Sequence, residues 1–221
     1  MSDEIKDIFL PLLRMDIVLM PHNSIVLEVD AEPIYSLMKD MIEEEGEFAV
    51  FHEDEEGMSE FGVIAYIEQY EYAAEDTLVC KITGKERIEA KTIIPSERLG
   101  NSFRSNAEGL SAEDLRSLMM YDFVDGTRLS DDDEASNPTV KNDIFAFIES
   151  SVLKLNPGYD IESLRQWMAD ADTHELSFRL MNGFYTDNSP ELNALRSELL
   201  RSSSENERLQ IFKKLLEAPQ D

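Results

Sequence analysis

The spacing of apolar residues changes character partway along the chain. Up to residue 94 they alternate with polar ones or run in short blocks, which predicts strands; after residue 110 they recur every three or four positions, which predicts helices. The most apolar stretch, residues 8–29, reads as two strands: 10–13, a turn at Arg14, Met15 and Asp16, then 17–20, broken by Pro21 and resumed at 25–29. Proline has no N–H to donate, so this strand pair is expected to be bent, as in a small closed barrel. Asp30 is placed to cap a helix whose apolar stripe is Ile34, Leu37, Met38, Met41 and Ile42, ending at Gly46. Glu43, Glu44 and Glu45 sit at its C-terminal end, against the helix dipole.

Residues 48–52 predict a third strand and 53–60 an acidic loop turning at Gly57. Residues 61–72 predict a long strand with Val63, Ala65 and Ile67 on one face and Ile64, Tyr66, Tyr70 and Tyr72 on the other. A further strand spans 77–94, bent at Gly84, in which Leu78, Cys80 and Ile82 alternate with Val79, Lys81 and Thr83. The pattern dissolves over 95–109, so the barrel needs completion by 102–105 or by 121–127. Helices follow, with Ser111 and Asp114, Asp172 and Glu175, and Ser204 and Glu207 as capping pairs, and with Asn137-Pro138 and Ser189-Pro190 as starts. The expected fold is α+β: a barrel subdomain at 1–109 with one inserted helix, then a helical bundle at 110–221, with linker and acidic loop inside 95–140.

Particular residues narrow this picture. Leu10, Pro11 and Leu12, then Val18 to Pro21 in the order Val-Leu-Met-Pro, then the strand at 25–29 and a helix entered through Glu32, Pro33, Ile34 and Tyr35 resemble the opening of Lon N-terminal domains. Residues 84–93, GKERIEAKTI, resemble the end of that family's hairpin, and residues 194–218 resemble its closing helices. The resemblance implies a PUA-like pseudo-barrel followed by helices. It also implies a stand-alone copy of the module that recognises polypeptide substrates, acting as a proteolysis-related adaptor for a protease or other protein machine. Where the family has Phe-Pro-Gly this chain has Met20, Pro21, His22 and Asn23.

Composition then decides among partners. The formal charge is −27, from 20 Lys and Arg against 47 Asp and Glu. A field of that sign repels phosphate backbones and anionic lipid, so nucleic acid and membranes are not expected partners, whereas unfolded or basic polypeptide is. Solubility, or adaptation to a salty interior, is the alternative source of the acidity. An acidic N-terminus without an apolar run points to the cytoplasm.

Motifs for bond chemistry are absent: no phosphate-binding GxxxxGKS/T loop, no GxSxG elbow, no HExxH helix. His22, His52 and His174 fall on different predicted elements, and Cys80 is alone, expected as a packed core thiol. No catalytic, cofactor or metal residues are assigned. The contact residues expected are Met20, Pro21, Tyr66, Tyr70 and Tyr72, because tyrosines are amphipathic and cheap to order. The alternatives are a small hydrolase whose site forms only in the fold, and an RNA binder of PUA-like type, which needs a basic stripe beyond isolated pairs such as Lys213 and Lys214.

Overall fold

The computed structural model describes residues 7–74, 77–96, 120–131, 137–169, 176–185 and 188–217. The chain divides into two compact units, Met1–Leu129 and Ser130–Asp221. In the first, the elements are β1 (Asp7–Met15), β2 (Ser24–Val29), α1 (Ile34–Glu44), β3 (Glu47–Asp54), β4 (Gly57–Met58), β5 (Phe61–Ala74), β6 (Thr77–Ile94) and β7 (Phe123–Leu129).

Five strands close a ring in the order β1-β7-β6-β5-β3 and back to β1, antiparallel throughout except for the parallel β1–β3 pair. Of the two expected ways of completing the barrel, β7 is the one the described residues show; 102–105 lies outside them. The strand-rich unit therefore runs past the expected boundary at 109, because β7 takes its ladder partners from β1 and β6. Pro11 sits where β1 changes neighbour, pairing with Phe123 of β7 just before Leu12 turns to Ala49 of β3. A missing N–H costs least at such a handover.

Alternation along the strands gives the barrel wall two buried faces. Inside are Leu12, Ala49, Phe51, Ile64, Ile88 and Val124. Paired across β3 and β5 on the opposite face are Phe48 with Ala65 and Val50 with Val63, all buried. That face continues through Ile82, Cys80 and Leu78 of β6, none of them exposed, and α1 packs on β5 with Leu37, Met38 and Met41 buried. Residues 18–20 were expected to be strand; they are buried without joining a ladder, and Met20 is fully enclosed.

These residues are held down at Gly84. The amide of His22 donates to the Gly84 carbonyl at 2.9 Å, and the Gly84 amide donates to the Asn23 carbonyl at 2.9 Å. A Cβ at position 84 would strike the Met20 carbonyl oxygen and come within 2.8 Å of Val63 Cγ1, so only glycine lets the two backbones meet. The strand passes through this point unbroken, with Lys85 as the extra residue of a bulge between the Gly84–Ala65 and Glu86–Ile64 pairs. In the hairpin of β3 and β4, Gly57 has φ of +119°, which explains its place in the acidic turn.

Asp30 does not cap α1. The helix starts at Ile34 behind Pro33, and the Glu32 carboxylate takes the Ser36 amide at 3.3 Å and hydroxyl at 2.8 Å. At the other end Glu45 adopts the left-handed conformation, and the Gly46 amide bonds to Met41 O at 3.0 Å.

The second unit contains α2 (Pro138–Leu155), α3 (Ile161–Ala169), α4 (Leu176–Phe184), α5 (Pro190–Arg201) and α6 (Glu205–Glu217). Asn137 caps α2, accepting from the Thr139 amide at 3.0 Å, and Ser189 caps α5, accepting from Leu192 at 3.4 Å. Ile144 and Ile148 are buried, whereas Phe147 is exposed. The expected pair Ser204–Glu207 is replaced: Glu207 accepts from the hydroxyl of Ser202, at 2.8 Å. The capping pairs at Ser111 and Asp172 lie outside the described residues.

A polar network fastens α6. Arg208 is fully buried, lies 4.5 Å above the Phe178 ring, and pairs with Glu205 at 2.9 Å and with both oxygens of Asp131. Glu205 in turn accepts from the Ser177 amide at 2.8 Å and hydroxyl at 2.6 Å, which joins α6 to the start of α4. Burial pushes the Glu205 carboxyl above its ordinary value, against the opposing effect of Ser177 and Arg208.

Two stability outcomes are expected. Gly84→Ala forces the wall and residues 20–23 apart and should cost about 2–3 kcal/mol in urea unfolding, as overpacking does. Arg208→Ala strands two carboxylates and should cost about 3–5 kcal/mol. An Arg208→Met, Glu205→Leu double variant should recover most of that loss in the same measurement.

Candidate functional site

The three tyrosines of β5 do not share one face. Antiparallel partners stand on the same side of a sheet, and Tyr66 opposes Thr83 while Ile67 opposes Ile82. Glu68 then bulges out, so Gln69 opposes Lys81 and Tyr70 opposes Cys80. The extra residue flips the alternation: Tyr70 and Tyr72 join the side of Leu78 and Cys80, and Tyr66 faces the other way. The bulge is tied down by Glu68, which accepts from Lys81 at 2.9 Å and from the Thr83 hydroxyl at 2.7 Å. Those two hydrogen bonds, Lys81 first, hold its carboxyl below the ordinary value.

Tyr70 and Tyr72 are each 53% exposed and meet edge to face at 6.1 Å between centroids. They form an aromatic pair at the end of β5. Met20 and Pro21, by contrast, are buried. Buried side chains offer no area to a partner, so the surface expected to include this pair lacks it.

A second feature was not named from sequence. Two adjoining depressions lie beside Ile34 at the start of α1. One, of about 260 Å³, is lined by Leu12, Arg14, Leu37, Ser96, Tyr121 and Asp122 among others. The other, of about 270 Å³, lies between residues 13–16 and residues 27–31. Leu13, Arg14 and Ile34 border both. Arg14 is committed to Asp122 at 2.5 Å and approaches Glu53 at 3.9 Å. The Tyr121 hydroxyl donates to Asp40 at 2.9 Å, and burial first, then Asp40, raises its pKa far above the ordinary value. The alternation of apolar and charged residues at 13–16 and again at 27–30 is legible in the sequence. Their meeting across a groove is not, because it depends on how the barrel closes.

Groups suited to bond chemistry are dispersed among the described residues. His22 sits in the turn over Gly84, and His52 lies on β3 opposite Met15. His174 lies outside the described residues. Cys80 is wholly buried, which pushes its thiol up to about 11 and keeps it protonated and unreactive at neutral pH. No group of three or more His, Cys, Asp or Glu side chains among the described residues is arranged to hold a metal ion.

No protein-family model matches this sequence, and no curated protein does. Solved structures do match. Over 96% of its length the chain is similar to a Lon N-terminal domain protein from Xanthomonas campestris, with 17% identity, a TM-score of 0.63 and 99% of that chain covered. It is similar over the same share to the N-terminal domain of Lon protease from the Mycobacterium avium complex, with 15% identity, a TM-score of 0.64 and all of that chain covered. The fold is therefore the one seen in Lon N-terminal domains, as the resemblance at both ends of the sequence implied.

Proposed function

We propose that this chain, folded as Lon N-terminal domains are, is a non-catalytic module that binds unfolded or basic polypeptide in the cytoplasm and presents it to a proteolytic or other protein machine. One observation carries the reading. β6 joins β2 on one side and β5 on the other, and among the described residues neither Ser24–Val29 of β2 nor residues 67–74 of β5 has a ladder partner on its outer edge. Unsatisfied backbone donors and acceptors on a strand edge are a template for another extended chain. Tyr70 and Tyr72 supply aromatic anchors beside one of these edges. The acidity of the chain selects against nucleic acid and for cationic segments.

The test is titration of the purified full chain into reduced, carboxamidomethylated ribonuclease, at low salt and without nucleotide. Saturable binding that weakens with salt is expected. A Tyr70→Ser, Tyr72→Ser double variant should bind at least about tenfold more weakly, or 1.4 kcal/mol. Absence of any binding by the unvaried chain sinks the reading.

A further inference from the structure

We infer that the apolar groove at the C-terminal end of α2 is a docking site for an amphipathic α-helix of a partner protein, with an apolar stripe on one side and lysine or arginine on the other. The inference concerns the second unit and goes beyond the strand-edge reading above, on which it does not depend.

The site comes from a mismatch of lengths. The Asn137 amide bonds to Asn206, and Lys213 pairs with Asp143 at 2.7 Å, so α2 and α6 lie side by side and run in the same direction, with partners 69 and 70 positions apart. At that offset the last residue of α6, Glu217, comes level with Ile148, and residues 149–155 of α2 overhang by about 10 Å at 1.5 Å per residue. The core-facing stripe of α2 does not stop where its cover does. Ile144, Ile148, Ser151 and Leu155 recur at helical spacing on one side of the helix; Ile144 and Ile148 are buried, while Leu155 is 88% exposed. The overhang forms one wall of a groove of about 520 Å³, with Phe147, Val152 and Leu155 from α2, Phe184 from α4, and Leu216 and Glu217 from α6. Phe147 and Phe184 are exposed there as well.

Shape and charge choose the occupant. These walls are helix side chains and offer no strand edge to the backbone of an extended chain, so a segment that satisfies its own N–H and C=O groups fits better. An added helix continues the line of α6 along the overhang and covers about two turns of α2, with apolar side chains at i, i+3, i+4 and i+7. The ends of α2 and α6 meet the groove through Leu155 and Glu217. Each C-terminal end carries about half a negative charge, and the Glu217 carboxylate adds to it. The end of α4 is already answered by buried Arg196, which donates to the Tyr185 carbonyl at 2.8 Å. Lys213 is held by Asp143 at 2.7 Å and lies 3.9 Å from Glu217, whereas Lys214 lines a separate depression. Lys154 is turned about 100° round α2 from Leu155. These surroundings favour a partner's lysine or arginine at the rim and repel its carboxylates. The charge of −27 also sets copies of this chain against one another, which argues against self-association through this face.

The probe is a fluorescein-labelled fourteen-residue peptide of leucine and lysine with the leucines on one helical face, titrated into the full chain at low salt and followed by anisotropy. Saturable binding is expected, with shifts of the amide resonances of residues 147–155, 184–185 and 216–217. A peptide of the same composition in which leucine and lysine alternate keeps the charge and loses the helical stripe, so it should bind at least about tenfold more weakly; equal or tighter binding overturns the inference in favour of an extended occupant. A version with glutamate for lysine should not bind, and affinity equal to the parent's overturns the inference too. Leu155→Lys, checked for an unchanged thermal midpoint, should weaken binding of the parent peptide at least about tenfold. Full retention overturns the inference, as does a dimer in sedimentation equilibrium that the same substitution dissociates, which gives the face to a second copy. The Tyr70→Ser, Tyr72→Ser variant should bind this peptide as the unvaried chain does, and Leu155→Lys should still bind unfolded ribonuclease; loss in either case overturns the separation of the two sites and the inference with it. If the unvaried chain binds the peptide and no unfolded ribonuclease, the strand-edge reading alone fails; if it binds ribonuclease and not the peptide, the helix site alone fails.

Discussion

β6 has to serve two neighbours in succession, and the first unit is arranged around that requirement. Its first half pairs with β2 as far as Thr83, and from Arg87 its second half pairs with β7, while β5 runs along the other side from Thr77 to Glu89. The changeover occurs at Gly84 and the bulged Lys85. There the strand bends enough to belong to a closed ring at one end and to an open three-stranded lobe at the other. Gly84 also receives the backbone of residues 20–23, which fixes the turn that leads into β2. A side chain at that single position would displace both.

The distribution of paired and unpaired edges follows from the same division. The closed end pairs its strands in a ring and packs apolar side chains on both faces of its wall. Among the described residues, β2 and residues 67–74 of β5, the latter carrying Tyr70 and Tyr72, have no ladder partner on their outer edges. Bulges such as the one at Glu68 are a common way of discouraging edge-to-edge pairing. β5 carries such bulges and β2 shows none among its six consecutive pairs.

The second unit depends on a different interaction. Glu205, Arg208, Ser177 and Asp131 bring charge into the interior, where burial is tolerated because nearly every polar atom of the network has a partner. That network sets the register of α6 against α4 and supplements its apolar contacts through Leu209, Phe212 and Leu216.

Local signals were legible where local physics decides. Asn137-Pro138 and Ser189-Pro190 start helices because the capping atom and the residue it caps are two or three positions apart, and the first half of β6 is legible because Leu78, Cys80 and Ile82 alternate with Val79, Lys81 and Thr83. The α+β division and the inserted helix were readable for the same reason. Tertiary structure alone decided that β7 closes the barrel, that Met20 and Pro21 lie inside, and that the bulge at Glu68 sets Tyr66 apart from Tyr70 and Tyr72. Each of these depends on which strand lies alongside which: a ladder partner far away in sequence, or a single extra residue between two strands, moves a side chain from one face to the other without altering the local pattern that predicts the strand.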